Sequence, residues 1–335
     1  MKRTLYIFQN GELKRKDNSL FFETEHGKRF LPIENINDIY LFGEIDVTKR
    51  FLEFISQKEI CLHYFNHYGY YIGSYYPREH LNSGYMILKQ AEHYNDPQKR
   101  QILAHTFIDG AIAQMNRVLK YYGSRLTAAV DHLTQIEQWL MKDRMQLTDD
   151  KSVDEMMSVE GHAHETYYQA FDDIVGRDSN FLFGKRSRRP PLNRINAMIS
   201  FGNSLCYTIV LSEIYKTYLD PRIGYLHTTN FRRFSLNLDL AEIFKPILID
   251  RLIFRLVNKK MITKNDFTKE SGGILLSEKG RKTFVSELDK RLQITIHHRH
   301  LGRAVSYRRL IRLEAYKLQK HLMGEKKYVP YQALW

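Results

Sequence analysis

The sequence predicts an α+β fold: a small N-terminal mostly-β domain followed by a larger all-α domain. Three observations lead there. The first 80 or so residues are short runs rich in aromatic and β-branched residues, separated by turn signals. From about Tyr85 onward the apolar residues recur at three and four, the helical period. A length of 335 residues, 43% hydrophobic and 27% charged, suits one large or two ordinary packed domains. The boundaries read as 1–80 for the β domain, 81–95 for a linker and 96–335 for the helical domain.

The β-like runs are TLYIFQ, LFFETE, RFLPI, DIYLFG, ICLHYF and YYIGSYYP. Asn10-Gly11, Asp17-Asn18, His26-Gly27 and His67-Tyr68-Gly69 punctuate them, and Asn10-Gly11 predicts a hairpin. One helix interrupts the series: VTKRFLEFISQKE puts Phe51, Leu52 and Ile55 on one face. The helical part opens with QKRQILAHTFIDGAIAQMNRVLKYYG, which ends on Gly123, a suitable helix stop. TAAVDHLTQIEQWLMKDRM and DEMMSVEGHAHETYYQAFDDIV follow. RINAMISFGNSLCYTIVLSEIYKTYL is apolar on nearly all sides, which marks it as the central helix of the core. In LDLAEIFKPILIDRLIFRLVNK, Pro246 predicts a kink or break near Phe244. KESGGILLSEKG reads as a turn before a short strand, and two helices close the chain.

Lys and Arg number 51 against 38 Asp and Glu, a net charge of +13. A surplus of that size favours a polyanionic partner, and the basic residues cluster instead of spreading as a solubilising surface would. GKRSRRPP holds Lys185, Arg186, Arg188 and Arg189; NFRRF holds Arg232 and Arg233. The C-terminal stretch carries Arg299, Arg303, Arg308, Arg309 and Arg312, then Lys317, Lys320, Lys326 and Lys327. Cys61 and Cys206 sit among apolar residues and read as small buried hydrophobes, not a disulfide framework. The N-terminus lacks a signal-peptide core and no apolar run reaches transmembrane length, so the expected setting is cytoplasmic, with no membrane partner. No P-loop, CxxC pair or Ser-His-Asp logic is visible.

Three polar residues stand in unusual local patterns. Glu160 opens EGHAHETYYQAF, His227 closes LDPRIGYLH, and Glu242 lies in LDLAEIFKP, three residues after Asp239. Two carboxylates and an imidazole can hold a divalent metal, and a metal can activate an oxygen to attack phosphate. Taken singly, Glu160 and His227 have ordinary readings: an exposed helix Glu, and an N-cap-region or core His. Asp239 and Glu242 share a helix face among apolar neighbours, so at least one carboxylate is near a buried surface and needs compensation. His297, His298 and His300 form another histidine group, for which DNA contact or plain exposure outweighs a second metal site.

Taken together the patterns are more specific. EGHAHETYYQAF, PPLNRINAMISFGNSLCY, LDPRIGYLH and FSLNLDLAEIFKP follow in that order, and YRRLIRLEAYKLQKHLMGEKKYVPY closes the chain. Over its whole length the chain resembles the CRISPR-associated integrase of the adaptation module, the Cas-one family. The resemblance implies a metal-dependent DNA integrase and endonuclease that inserts new spacers into a CRISPR array by 3′-hydroxyl transesterification, in adaptive antiviral defence. It implies metal ligands at Glu160, His227 and Glu242, with Asp239 a candidate fourth, and Mg²⁺ or Mn²⁺ as the ion. It maps the helix-signature Asn onto Asn196, either lining the site or serving as a hydrogen-bonded core amide. His164 and Glu165 depart from the family pattern, which has small or hydrophobic residues there. The implied partners are prespacer, repeat and branched DNA, a second copy of the chain in a homodimer through the β domains, and the small Cas-two protein. Two alternatives stay open: a non-catalytic nucleic-acid-binding scaffold and a stand-alone branched-DNA repair nuclease.

Overall fold

The computed structural model describes residues 2–77, 81, 83–148, 150–176, 180–227, 234–270, 272–298 and 301–334. The chain forms two compact units, Met1–Asn82 and Ser83–Trp335, the first rich in strands and the second mostly helical. The expected α+β class holds.

The first unit contains β1 (Arg3–Ile7), β2 (Gly11–Lys16), β3 (Ser19–Thr24), β4 (Gly27–Leu31), β5 (Ile36–Leu41) and β6 (Ile45–Val47). Helix α1 (Lys49–Gln57), β7 (Cys61–Phe65) and β8 (Tyr71–Tyr75) complete it. Two four-stranded sheets run β1-β5-β7-β8 and β4-β3-β2-β6. Leu13, Leu20 and Phe22 of one sheet, Ile39, Leu41 and Leu62 of the other, and Phe51, Phe54 and Ile55 of α1 meet in one apolar core. Strand β2 escaped the sequence reading because GELKRK buries only Leu13 and presents charge around it. The hairpin expected at Asn10-Gly11 does not form. β1 pairs in parallel with β5, and β2 pairs with β3, so Asn10-Gly11 carries the chain between sheets. A Cβ at Gly11 would lie 2.2 Å from the Glu23 carbonyl oxygen, so glycine serves close backbone approach there. The tight turn is at Asp17-Asn18, where Asp17 takes a φ of 54°.

The second unit contains α2 (Gly84–Asn95), α3 (Pro97–Gly123), α4 (Val130–Met145), α5 (Val153–Tyr168), α6 (Phe171–Val175), α7 (Arg194–Tyr215), α8 (Leu236–Lys245) and α9 (Arg251–Asn258). After them come β9 (Phe267–Glu270), β10 (Gly273–Leu276), α10 (Glu278–Gln293), β11 (Thr295–His298), β12 (Arg303–Ser306) and α11 (Tyr307–Leu322). The stretch read as a linker therefore carries α2. The Ser83 hydroxyl caps that helix, and its Gln90 side chain accepts from the Asp220 N–H at 2.7 Å. Helix α7 is long and apolar enough to cross a membrane by length and composition, which the sequence reading had not expected, but 78% of its apolar window is buried inside the protein. It is the central helix. Pro246 does not break its helix. Residues Pro246–Asp250 form a π-helical turn between α8 and α9, and the Arg251 N–H reaches back to the Pro246 carbonyl. Proline has no N–H to give the carbonyl four residues earlier, so the hydrogen-bond ladder widens by one residue and continues. At the C-terminus, buried Glu314 accepts from the Tyr328 hydroxyl at 2.7 Å and the Tyr331 N–H at 2.9 Å, which ties down the YVPY tail.

Candidate metal centre

Helix α5 is started by a capping box between Ser152 and Glu155. It buries Met156, Val159, Ala163, Thr166 and Tyr167, and Glu160 and His164, one turn apart, flank that apolar face half-buried. Helix α8 packs against α3 and α7 and is buried on almost every side. Its Asp239 and Glu242 are 0% and 2% exposed, so both carboxylates must be compensated.

Asp239 is compensated by the His227 segment. Its Oδ2 accepts from the Tyr225 N–H at 2.6 Å and the Leu226 N–H at 3.1 Å. Its Oδ1 accepts from the His227 N–H and meets His227 Nδ1, both at 2.9 Å. An ionised carboxylate can only accept, so Nδ1 carries a proton and Nε2 is the nitrogen that can offer a lone pair once the ring is neutral. Metal-ligating histidines are usually fixed this way, by a carboxylate on the other ring nitrogen. Burial pushes the His227 pKa down, but the Asp239 contact and the charges of Glu242 and Glu160 outweigh it, and the pKa is raised. Both Asp239 oxygens are thus engaged by the loop. Gly224 permits this approach: a Cβ there would lie 2.8 Å from the Ser235 carbonyl carbon and 2.9 Å from Asp239 Oδ2. Gly224→Ala should displace the loop and weaken Mn²⁺ binding by about 10–100-fold, as loss of a supporting contact does. A Mn²⁺ titration followed by EPR checks this, and unchanged affinity would mean the loop does not set the imidazole.

Glu242 is compensated differently. Lys245 Nζ stands 2.5 Å from its Oε2, and His164 Nε2 stands 3.2 Å from the same oxygen. His164 Nε2 is also 2.9 Å from Glu160 Oε1. One ligand atom from each of Glu160, His164 and Glu242 lies within 4.8 Å of the others. His227 adjoins this trio without belonging to it. Burial alone would lower the His164 pKa, yet the two carboxylates raise it to about 9. Burial would raise the Glu242 pKa, but Lys245, His164 and His227 hold it well below the usual range. The site therefore holds a buried and a half-buried carboxylate, Glu242 and Glu160, near two imidazoles and an ammonium. Hard oxygen donors with imidazole nitrogen fit a small divalent ion such as Mg²⁺ or Mn²⁺. His164 was noted in the sequence only as a departure. Its spacing of four from Glu160 on a helix was the signal that could have found it.

Asn196 is fully buried, and its side chain is engaged by the basic loop. Its Nδ2 donates to the Lys185 carbonyl at 2.7 Å, and its Oδ1 accepts from Arg186 at 2.9 Å and the Ser187 N–H at 3.2 Å. It pins the basic loop to the start of α7. Arg186 is half-buried and also donates to Ser200, whereas Lys185, Arg188 and Arg189 are exposed. Arg232, Arg233, Arg299 and His300 lie outside the described residues. His297 and His298 sit on β11, paired with β12. Arg308 and Arg312 are engaged by buried Glu213 at 2.8 and 2.7 Å, which removes them from the basic surface read in the sequence. In the first unit, Asp38, Cys61 and His63 form another buried group on β5 and β7, where His63 Nδ1 meets Ser74 Oγ at 2.6 Å.

The sequence profile of the family described as CRISPR associated protein Cas1 matches residues 5–290. The chain belongs to the Cas1 family. A relative described as CRISPR-associated endonuclease Cas1 2, from Thermodesulfovibrio yellowstonii, is 55% identical over 335 residues, 100% of both chains. A solved Cas1 protein from Thermotoga maritima superposes with a TM-score of 0.87 at 46% identity, covering 98% of this chain and 99% of that one. A casposase bound to an integration product shares the fold, with a TM-score of 0.84 at 20% identity over 98% of this chain and 93% of its own. The Cas1 fold thus spans both units, and it carries Glu160, His164 and Glu242 on two helices that are far apart in sequence.

Proposed function

We propose that this Cas1-family chain is a metal-dependent DNA integrase and endonuclease that inserts new spacers into a CRISPR array. One observation supports the reading: Glu160 and Glu242 converge from α5 and α8, and the imidazole of His227, which Asp239 holds through Nδ1, lies near enough to feel both charges. In this reading Glu160, His227 and Glu242 hold Mg²⁺ or Mn²⁺, and Asp239 is a positioning residue behind His227, not a ligand. The ion, when bound, supplies charge neutralisation at phosphate and a lower pKa for an attacking hydroxyl. The chain does the rest. Its apolar helix faces limit water at the carboxylates, and Asp239 keeps the His227 proton on Nδ1. Lys185, Arg188 and Arg189, with Arg232 and Arg233, offer cations to the DNA backbone. A DNA 3′-hydroxyl then attacks a phosphodiester; one P–O bond forms, another breaks, and the hydroxyl proton ends on the departing oxygen. Water in place of the 3′-hydroxyl makes the same site a nuclease.

The partners follow from the reading: DNA, the small Cas2 protein, and a second copy of the chain in the cytoplasm. Strand β4 is an edge strand of its sheet and leaves Phe30 65% exposed, an apolar surface for a second copy to cover. The test is integration of a labelled prespacer into a repeat-bearing plasmid, with Cas2, Mg²⁺ or Mn²⁺, and a chelator control. Chelator-sensitive full-site products support the proposal. Binding without any strand chemistry would favour a scaffold, and cleavage of branched DNA without integration would favour a repair nuclease.

Arg188 and Arg189 give a separate check on the DNA surface. Replacing both with Ala should weaken binding and make the salt dependence shallower by about 0.9 log unit per log unit of salt for each lost contact. Fluorescence anisotropy across a salt series measures it. An unchanged slope would remove these residues from the interface.

A further inference from the structure

We propose that His164 is an additional metal ligand, so that the centre of this chain offers two imidazoles and two carboxylates. The inference rests on the metal-site reading above and extends it to a residue outside the expected ligand set. The geometry is specific. A single atom, His164 Nε2, lies 2.9 Å from a Glu160 oxygen and 3.2 Å from a Glu242 oxygen. An ion bound between those two oxygens meets that nitrogen: the ring either coordinates it or leaves. Lys245 Nζ, 2.5 Å from the same Glu242 oxygen, is the cation an entering ion displaces, whereas the ring is held in place. His164 is only 14% exposed and packs on Tyr168 with ring centroids 5.7 Å apart, so little room exists for it to swing away. Its other nitrogen, Nδ1, is buried and without a hydrogen-bond partner among the described residues. Among the described residues, Glu160 and Glu242 are the polar partners of the ring, and Tyr168 packs on it. The nitrogen that faces the ion position is Nε2, and no competing hydrogen bond on Nδ1 turns the ring away from it. Helical spacing makes the arrangement robust: Glu160 and His164 are one turn apart on α5 and present their ends to the same point.

An extra imidazole changes which ion the site prefers. Nitrogen donors suit Mn²⁺ better than Mg²⁺, which keeps to oxygen and water. The chain should therefore bind Mn²⁺ in clear preference to Mg²⁺, and His164→Ala should reduce Mn²⁺ affinity at least about tenfold while Mg²⁺ affinity changes less.

The experiment uses the full chain loaded with Mn²⁺ and counts nitrogen ligands by pulsed EPR, with Mn²⁺ and Mg²⁺ affinities measured by titration. Wild-type protein should show two imidazole nitrogens, and His164→Ala and His227→Ala should each show one. One nitrogen in wild type, unchanged by His164→Ala, overturns the inference and leaves the metal-site reading standing. No Mn²⁺ bound in wild type, or binding unaffected by Glu160→Ala, overturns both. The wild-type count stands alone should the Ala variant fold poorly, and His164→Gln, which keeps a polar side chain of similar reach, repeats the affinity arm.

Discussion

Glu160→Ala and His227→Ala are each expected to lower metal-dependent strand transfer by about 1,000-fold or more. The reason is the size of the effect removed: ion-assisted charge stabilisation at phosphate is worth several kcal/mol, and about 1.4 kcal/mol is a factor of ten. DNA affinity at fixed salt should change by less than about threefold, because backbone cations, not the buried centre, dominate it. Labelled-prespacer integration and fluorescence anisotropy on the same preparations check the two halves. Wild-type integration by both variants would remove these residues from the metal site; parallel loss of DNA binding would point to misfolding. Asp239→Asn gives an intermediate case. An amide has a donor where the carboxylate had an acceptor, so it cannot take all the present bonds from Tyr225, Leu226 and His227. Metal affinity should fall by about 10–100-fold without loss of the ligands themselves.

The second large effect concerns stability. Glu213 on α7 is fully buried and accepts from Arg308 and Arg312 of α11, with Lys216 Nζ 3.7 Å away. Glu213→Ala leaves two part-buried guanidinium groups without their carboxylate, and breaking a buried pair this way costs about 3–5 kcal/mol. The same contact makes stability pH-dependent. Burial would raise the Glu213 pKa, but the three cations outweigh it and hold it at about 2. An unfolded Glu titrates near ~4.3, so the folded value is depressed. Its contribution is then complete above about pH 4.3 and is lost as pH falls toward 2; it amounts to about 3 kcal/mol. Urea midpoints of wild type and Glu213→Gln at pH 6 and pH 3 measure it. The gap between them should narrow at pH 3, and an equal gap at both values would show that the carboxylate is not held low.

The fold was legible wherever the burial pattern was simple. Helices α3, α4 and α7 have long apolar periods, and six strands carry aromatic or β-branched runs. The reading failed where pairing is non-local or the pattern mixed. Asn10-Gly11 has the composition of a hairpin, yet its neighbours pair with strands elsewhere in the chain, and only the sheets decide that. Helix α2 begins where the helical period starts, near Tyr85, but it lies inside the stretch bounded as a linker; it buries Met86, Gln90 and His93. The basic C-terminal run looked uniform, and nothing local distinguished Arg308 and Arg312, whose partner is about a hundred residues away.

By itself the sequence determined the class of the fold, the order of its two units, the excess positive charge and the residues Glu160, His227, Asp239 and Glu242 as a group to be explained. These follow from local period, composition and motif, all of which act over a few residues. The tertiary structure decided their division of labour. It turned Asp239 toward His227, brought His164 between Glu160 and Glu242, assigned Asn196 to the basic loop and withdrew two arginines from the surface. Each of those outcomes depends on which buried charge meets which partner. Packing of helices distant in sequence sets that, and the need to compensate Asp239, Glu242 and Glu213 enforces it.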